Sequence, residues 1–210
     1  VAELAQEWQS NLIREVRRKA IHLTGLSVPL GLIFLGSTAT AAAIAVVFAI
    51  SLFIESARLQ GKIRLPEVRD HEKTKVAGYI YYMAGSLLAV LLFPPGIAIT
   101  AMLFLSLGDT LSGLVGSILQ NCDVRAAPSQ GVRWRTKPMP VVAATAAACI
   151  LIGYLASDIS SLSPHVYLAG AAAATFADGV AIIIRDKSLD DNFSIPVLSG
   201  IVMSAVALIG

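Results

Sequence analysis

The sequence predicts an all-α fold: a polytopic membrane bundle of about seven transmembrane helices with an N-terminal amphipathic helix, N-terminus cytoplasmic, in a single integral membrane domain over 1–210. Three observations predict it. The chain is 56% hydrophobic and only 14% charged, with mean hydropathy +0.73, whereas soluble domains are about a quarter charged. Its 16 Lys and Arg fall into four short clusters, within 14–19, 58–75, 125–137 and 185–187, with apolar stretches between them. Alternating crossings put every cluster on one face, and the enrichment of Lys and Arg in inner loops makes that face cytoplasmic. Of the 14 acidic residues only Asp158 then falls outside. Charged chemistry is expected at the cytoplasmic boundary, and a separate soluble catalytic domain is excluded, because spans of about 20 residues consume most of the length.

The elements follow in order. Residues 1–19 form the amphipathic helix, with Leu4, Trp8, Leu12 and Val16 at helical spacing. This polar start does not read as a cleavable signal peptide. Spans are expected at 20–35, 38–57, 76–92, 97–119, 139–156, 165–184 and 193–208. The outer turns are Gly36-Ser37, Phe93-Pro94-Pro95-Gly96 and 157–164, the second fixed by paired prolines and a glycine. Cytoplasmic loops cover 58–75, 120–138 and 185–192. Cys122 in a loop and Cys149 in a span are not placed for an exported disulfide.

A few residues stand out against this apolar background. Asp109 sits mid-segment in Gly108-Asp109-Thr110-Leu111-Ser112-Gly113, where an ionisable group costs ~2.5–3.5 kcal/mol on insertion scales and must face protein, water or a cation. It fits a partner for a buried cationic side chain, or a metal-holding carboxylate in a cavity that opens to the cytoplasm. Asp178 raises the same question in the sixth span. Asp190-Asp191-Asn192 precede the last span, where such residues serve equally as helix caps or as part of a Mg²⁺ site, since magnesium takes one or two carboxylates together with phosphate oxygens and water. Glu55 and Arg58 share a helix face at i,i+3 and fit a mutual pair or a phosphate site. Thr136 and Lys137 after Arg133-Trp134-Arg135 fit phosphate or anionic lipid headgroups. No P-loop, protein-kinase motif or His/Cys zinc spacing is present.

Taken together, these segments resemble the membrane-embedded CTP-dependent lipid-alcohol kinases, dolichol (polyprenol) kinase and its relatives acting on phytol, farnesol or diacylglycerol. The resemblance covers nearly the whole chain: Arg14-Glu15-Val16-Arg17-Arg18-Lys19-Ala20-Ile21-His22, Glu55-Ser56-Ala57-Arg58, Glu72-Lys73-Thr74-Lys75-Val76-Ala77-Gly78-Tyr79, Gly108-Asp109-Thr110, and Asp190-Asp191-Asn192-Phe193-Ser194-Ile195-Pro196 with Ser199-Gly200. It departs from that family where Pro138-Met139-Pro140 follow Lys137 instead of a Glu-Gly segment, and where Asp178 stands for Glu. The resemblance implies Mg²⁺-dependent transfer of the CTP γ-phosphoryl to a polyprenol or dolichol-type alcohol, with CTP, the isoprenoid alcohol and membrane lipids as partners and no nucleic acid. It implies catalytic roles for Asp109, Asp178 and Lys137, and metal-holding roles for Asp109, Asp190 and Asp191. Nucleotide contacts would come from Arg18, Glu55, Arg58, Lys75, Thr110, Thr136, Lys137, Asp190, Asp191 and Asn192. A prokaryotic plasma membrane with a cytoplasm-facing site is the expected setting. The competing readings are a CTP-dependent lipid cytidylyltransferase, which releases pyrophosphate instead of CDP, and a small transporter with Asp109 and Asp178 on an ion path.

Overall fold

The computed structural model describes residues 22–63, 65, 74–119, 134–184 and 187–209. The expected amphipathic helix at 1–19, Arg18 within it, and most of the loop at 120–138 lie outside these residues.

A 3₁₀ turn at Thr24–Leu26 leads into α1, Ser27–Phe34. Gly36, at φ +79°, makes the turn that a side-chain-bearing residue would resist. Then come α2, Gly36–Leu59, and α3, Gly78–Leu92. The fourth helix is compound. α4, Pro95–Leu103, runs through a π-helical stretch at Phe104–Gly108 into α5, Asp109–Ile118. Strand β1, Trp134–Thr136, precedes α6, Met139–Ser160. α7, Pro164–Gly179, passes directly into β2, Val180–Ile184, and β3, Lys187–Ser188, leads to α8, Asp191–Ala207.

The expectation of about seven transmembrane helices is corrected by the lengths of these elements. Among the described residues three helices are long and apolar enough to cross a membrane: Gly36–Leu59, Pro95–Ile118 and Met139–Ser160. Thr24–Phe34, Gly78–Leu92 and Asp191–Ala207 are apolar but shorter, and α7 has 16 residues. At 1.5 Å per residue, α7 reaches only about 24 Å against a hydrocarbon core of about 30 Å. In the first, third and sixth expected spans, residues at the ends of the apolar runs lie in other structure. The residues at 180–184, assigned to a sixth span, are a strand instead, as their β-branched Val180 and Ile182–Ile184 favour. The crossing count behind the predicted sidedness of the N-terminus falls with the seven spans. The described residues form a membrane-associated, largely helical bundle in which three apolar helices are long enough to span a bilayer.

The compound fourth helix is the core of that bundle. Met102, Phe104 and Leu105 are fully buried, packed with Ile195 and Met203 of α8. α2 lies at the edge with Val46, Val47, Ile50 and Phe53 exposed, an apolar surface that belongs in lipid. The helices alternate in direction. At one end Gly96 packs against the Ser160 carbonyl, which joins the start of α4 to the end of α6. At the other end meet the last turn of α2 and the first turns of α3, α6 and α8, together with a three-stranded antiparallel sheet in the order β1-β2-β3. Trp134 pairs with Ile182, Arg135 with Ala181 and Thr136 with Val180. The Lys137 N–H extends the ladder by donating to the Gly179 carbonyl at 2.8 Å.

Candidate functional site

Three carboxylates converge at the sheet-bearing end. Asp109 is the first residue of α5, Asp178 the penultimate residue of α7, and Asp191 the first residue of α8. All three are buried, and each offers a carboxylate oxygen within 4.8 Å of the others. The π-helical stretch immediately before Asp109 resets the helical phase at this residue, a feature that recurs at functional sites. Gly108 lets it approach α6: a Cβ there would meet the Cys149 sulfur at 2.8 Å.

The β-ladder supplies the cation. By pinning Lys137 beside Gly179 it brings Nζ to 2.7 Å from Asp178 Oδ1. Nζ also donates to Ser112 Oγ at 2.9 Å, and Ser112 in turn donates to Asp178 Oδ2 at 2.6 Å. Thr145 Oγ1 donates to the same Oδ2 at 3.1 Å. Burial pulls the Lys137 ammonium down, but the charges of Asp178, Asp191 and Asp109 outweigh it and hold its pKa above the ordinary lysine range. Asp109 Oδ2 lies 3.4 Å from His22 Nδ1, and the imidazole stands edge-on to Tyr82 with ring centroids 5.5 Å apart.

Among the described residues Lys137 lies against this group on Asp178 and His22 beside Asp109. At 4.8 Å, two unit negative charges repel by about 3.5 kcal/mol at an effective dielectric near 20. The cluster would have that repulsion offset by a cation brought to it. Its hard oxygen donors suit Mg²⁺, which takes few protein carboxylates and completes its shell with phosphate and water oxygens. Asn192 adds an observation that fits: its Nδ2 donates to the Gly78 carbonyl at 3.3 Å, while its Oδ1 is buried without a hydrogen-bond partner among the described residues. A buried acceptor in that state ordinarily costs about 1–3 kcal/mol.

The remaining predicted residues divide. Asp190 is the N-cap of α8, its Oδ1 accepting from Asn192 N at 3.0 Å, and Asp178 stands within the carboxylate group where the sequence pattern had put Asp190. Glu55 and Arg58 form a buried side-on pair, Nε to Oε2 at 2.7 Å and Nη2 to Oε1 at 2.6 Å. Glu55 also accepts from Ala77 N at 2.8 Å and Tyr79 Oη at 2.7 Å, and Arg58 donates to the Lys75 carbonyl at 2.6 Å. This clamp fastens the start of α3 to the end of α2, one residue from the Gly78 carbonyl that receives Asn192. Thr110 Oγ1 is turned back onto the Ser106 carbonyl at 2.6 Å. Lys75 and Thr136 are exposed.

Ser112 and Thr145 were not singled out from the sequence. Ser112 could have been found, since it lies at i+3 from Asp109 on one helix face; nothing in the sequence points to Thr145. No family model, curated protein or solved structure matches the chain.

Proposed function

We propose that this protein is a membrane kinase that transfers the γ-phosphoryl of CTP to the hydroxyl of a polyprenol- or dolichol-type isoprenoid alcohol at the cytoplasmic face of a prokaryotic plasma membrane. One observation carries the reading: three buried carboxylates within 4.8 Å of one another, with Lys137 on Asp178, at the polar end of an apolar bundle. Phosphoryl transfer asks of a protein mainly positioning and charge neutralisation, and this is what such a cluster offers to a lipid that stays in the bilayer. Asp109 and Asp191, with the Asn192 amide oxygen, would hold Mg²⁺. The ion would neutralise charge on the phosphate oxygens.

Asp178 would take the alcohol's proton. Its Oδ2 accepts from both Ser112 and Thr145, whereas Oδ1 accepts from Lys137 and, with two lone pairs, has room for a further donor. The hydroxyl proton would pass to Asp178 and the alcohol oxygen would bond to the γ-phosphorus as its bond to the bridging oxygen breaks, releasing CDP. Lys137 would stabilise the phosphoryl oxygens as a fixed cation.

The test is incubation of the purified protein with Mg²⁺, γ-labelled CTP and geranylgeraniol, polyprenol, phytol or diacylglycerol. Label in an isoprenoid alcohol with stoichiometric CDP is the expected result. Pyrophosphate released on adding phosphatidate or a prenyl phosphate would replace this reading with a cytidylyltransferase, and no turnover of CTP with any lipid would remove it.

A further inference from the structure

Asn192 is seated against α3 at two points of one helix face. Gly78 and Gly85 stand two turns apart on that helix. A Cβ at Gly85 would come within 2.7 Å of the Asn192 carbonyl oxygen and 3.1 Å of Phe193 Cα, so the bare glycine lets the first turn of α8 lie directly on α3. At the other point Asn192 Nδ2 donates to the Gly78 carbonyl at 3.3 Å. That contact decides which way the amide faces. A carbonyl oxygen only accepts, so the end of the amide turned to it must be the NH₂, and Oδ1 is thereby committed to the other side. There Oδ1 is buried without a hydrogen-bond partner among the described residues.

What holds the Gly78 carbonyl in place is the clamp. Gly78 opens α3, at a helix end where backbone groups lack intrahelical partners and where a glycine does least to fix its own backbone. Glu55 grips the residue on either side of it: Oε1 accepts from Ala77 N at 2.8 Å and Oε2 from Tyr79 Oη at 2.7 Å. Arg58, paired with both oxygens of Glu55, donates to the Lys75 carbonyl at 2.6 Å. An ion pair that reached Lys75 and Ala77 would already fasten α3 to α2. The Tyr79 hydroxyl adds a tie on the far side of Gly78, so this residue is bracketed and not merely anchored from one side.

We infer that Glu55 and Tyr79 are positioning residues for a divalent cation: by bracketing Gly78 they aim its carbonyl at the Asn192 amide, and so present Asn192 Oδ1 as a ligand atom. The inference rests on the cation site of the proposed function, and on neither its nucleotide nor its lipid. Asp191 is held in the same turn, its Oδ1 accepting from Asn192 N at 3.0 Å, so the amide oxygen and this carboxylate come from one helix start. Groups that orient a metal ligand change metal affinity by about 10–100-fold without touching the ion.

The experiment is Mn²⁺ binding to the purified full-length protein in detergent, followed by loss of the free-ion EPR signal, in a double-mutant cycle of Tyr79→Phe and Asn192→Ala. Mn²⁺ suits the same oxygen donors as Mg²⁺ and is used alone, without nucleotide. Tyr79→Phe leaves the Glu55–Arg58 pair intact and should weaken Mn²⁺ binding by roughly tenfold; Asn192→Ala should weaken it at least as much. In the Asn192→Ala background Tyr79→Phe should change affinity by about twofold or less, because its route to the ion is gone. Glu55→Asp keeps a charge for Arg58 but draws the carboxylate back by one methylene; it should repeat the Tyr79→Phe result, and it takes that variant's place in the cycle if Tyr79→Phe does not fold. Equal losses from Tyr79→Phe with and without Asn192 would make the clamp a general support and overturn the inference, as would an unchanged affinity in Tyr79→Phe. No Mn²⁺ binding by the unaltered protein would sink the inference and the cation site together. The expected cycle in a protein that transfers no phosphoryl from CTP would keep the inference and sink the kinase.

Discussion

Among its described residues the bundle buries charge in two places at the same end, and they are built differently. At the Glu55–Arg58 clamp one carboxylate meets one guanidinium, and the two Glu55 oxygens accept four hydrogen bonds, from Arg58 twice, Ala77 and Tyr79. Charge is balanced and every carboxylate lone pair has a donor. At the Asp109–Asp178–Asp191 group three carboxylates lie within 4.8 Å of one another with Lys137 on Asp178, and among the described residues Asn192 Oδ1 is buried without a hydrogen-bond partner. The first arrangement stabilises the fold and has no acceptor to spare. The second gathers like charges around a buried acceptor, an arrangement that perturbs ionisation and recurs at functional sites. The two differ in how their charges are arranged, not in burial.

The sharpest way to break the comparison is to neutralise each place in turn. Asp109→Asn and Asp191→Asn should each lower CTP-dependent lipid phosphorylation by about 10³-fold or more, by analogy with the loss of a transition-state-stabilising group. Both variants should remain folded in detergent, since each removes one of three neighbouring like charges. Retained activity in both variants would remove the carboxylate site from the reaction. Glu55→Gln should behave in the opposite way. It leaves the buried Arg58 charge uncompensated and should cost about 3 kcal/mol or more, read as a lower melting temperature, with a smaller effect on turnover in the molecules that remain folded. If Glu55→Gln instead kept its stability while the KM for CTP rose tenfold, the clamp would be a nucleotide contact and the comparison would fail.

How much of this was legible beforehand depends on what sets each feature. Hydropathy is set by composition, so membrane association and a helical bundle could be read directly. Helix length is set by where each chain end is pinned. The β-ladder that ends α7 at Gly179 is a pairing across 44 residues, from Thr136 to Val180, which no local pattern shows, so the apolar run at 165–184 suggests a longer helix than forms. Asp109, Asp178 and Asp191 were visible as charges in apolar context, because the cost of burying them is itself a signal. Their convergence was not visible, since it depends on a π-helical stretch and on the docking of three separate helices. For the same reason Asp190 and Asp191, adjacent in sequence, could not be told apart until the start of α8 made one a cap and the other a member of the group.

The finest test lies within the site, between the two hydroxyls that share Asp178 Oδ2. Ser112 stands in series: it accepts from Lys137 Nζ at 2.9 Å and donates to Asp178 at 2.6 Å. Ser112→Ala therefore deprives both charged groups of a partner, and hydrogen bonds to charged groups contribute about 1.5–3 kcal/mol; a fall in kcat of roughly tenfold or more is expected. Thr145 Oγ1 has one proton and two acceptors, the Val141 carbonyl at 3.0 Å and Asp178 at 3.1 Å. Its hold on the carboxylate is shared, and the Val141 carbonyl also lies within its own helix. Thr145→Val keeps the shape of the side chain and should lower kcat by about fivefold or less, at the weak end of a single net hydrogen bond. A Thr145→Val effect equal to that of Ser112→Ala would mean that Asp178 is oriented from the α6 side, and that the series contact through Lys137 is not what holds it.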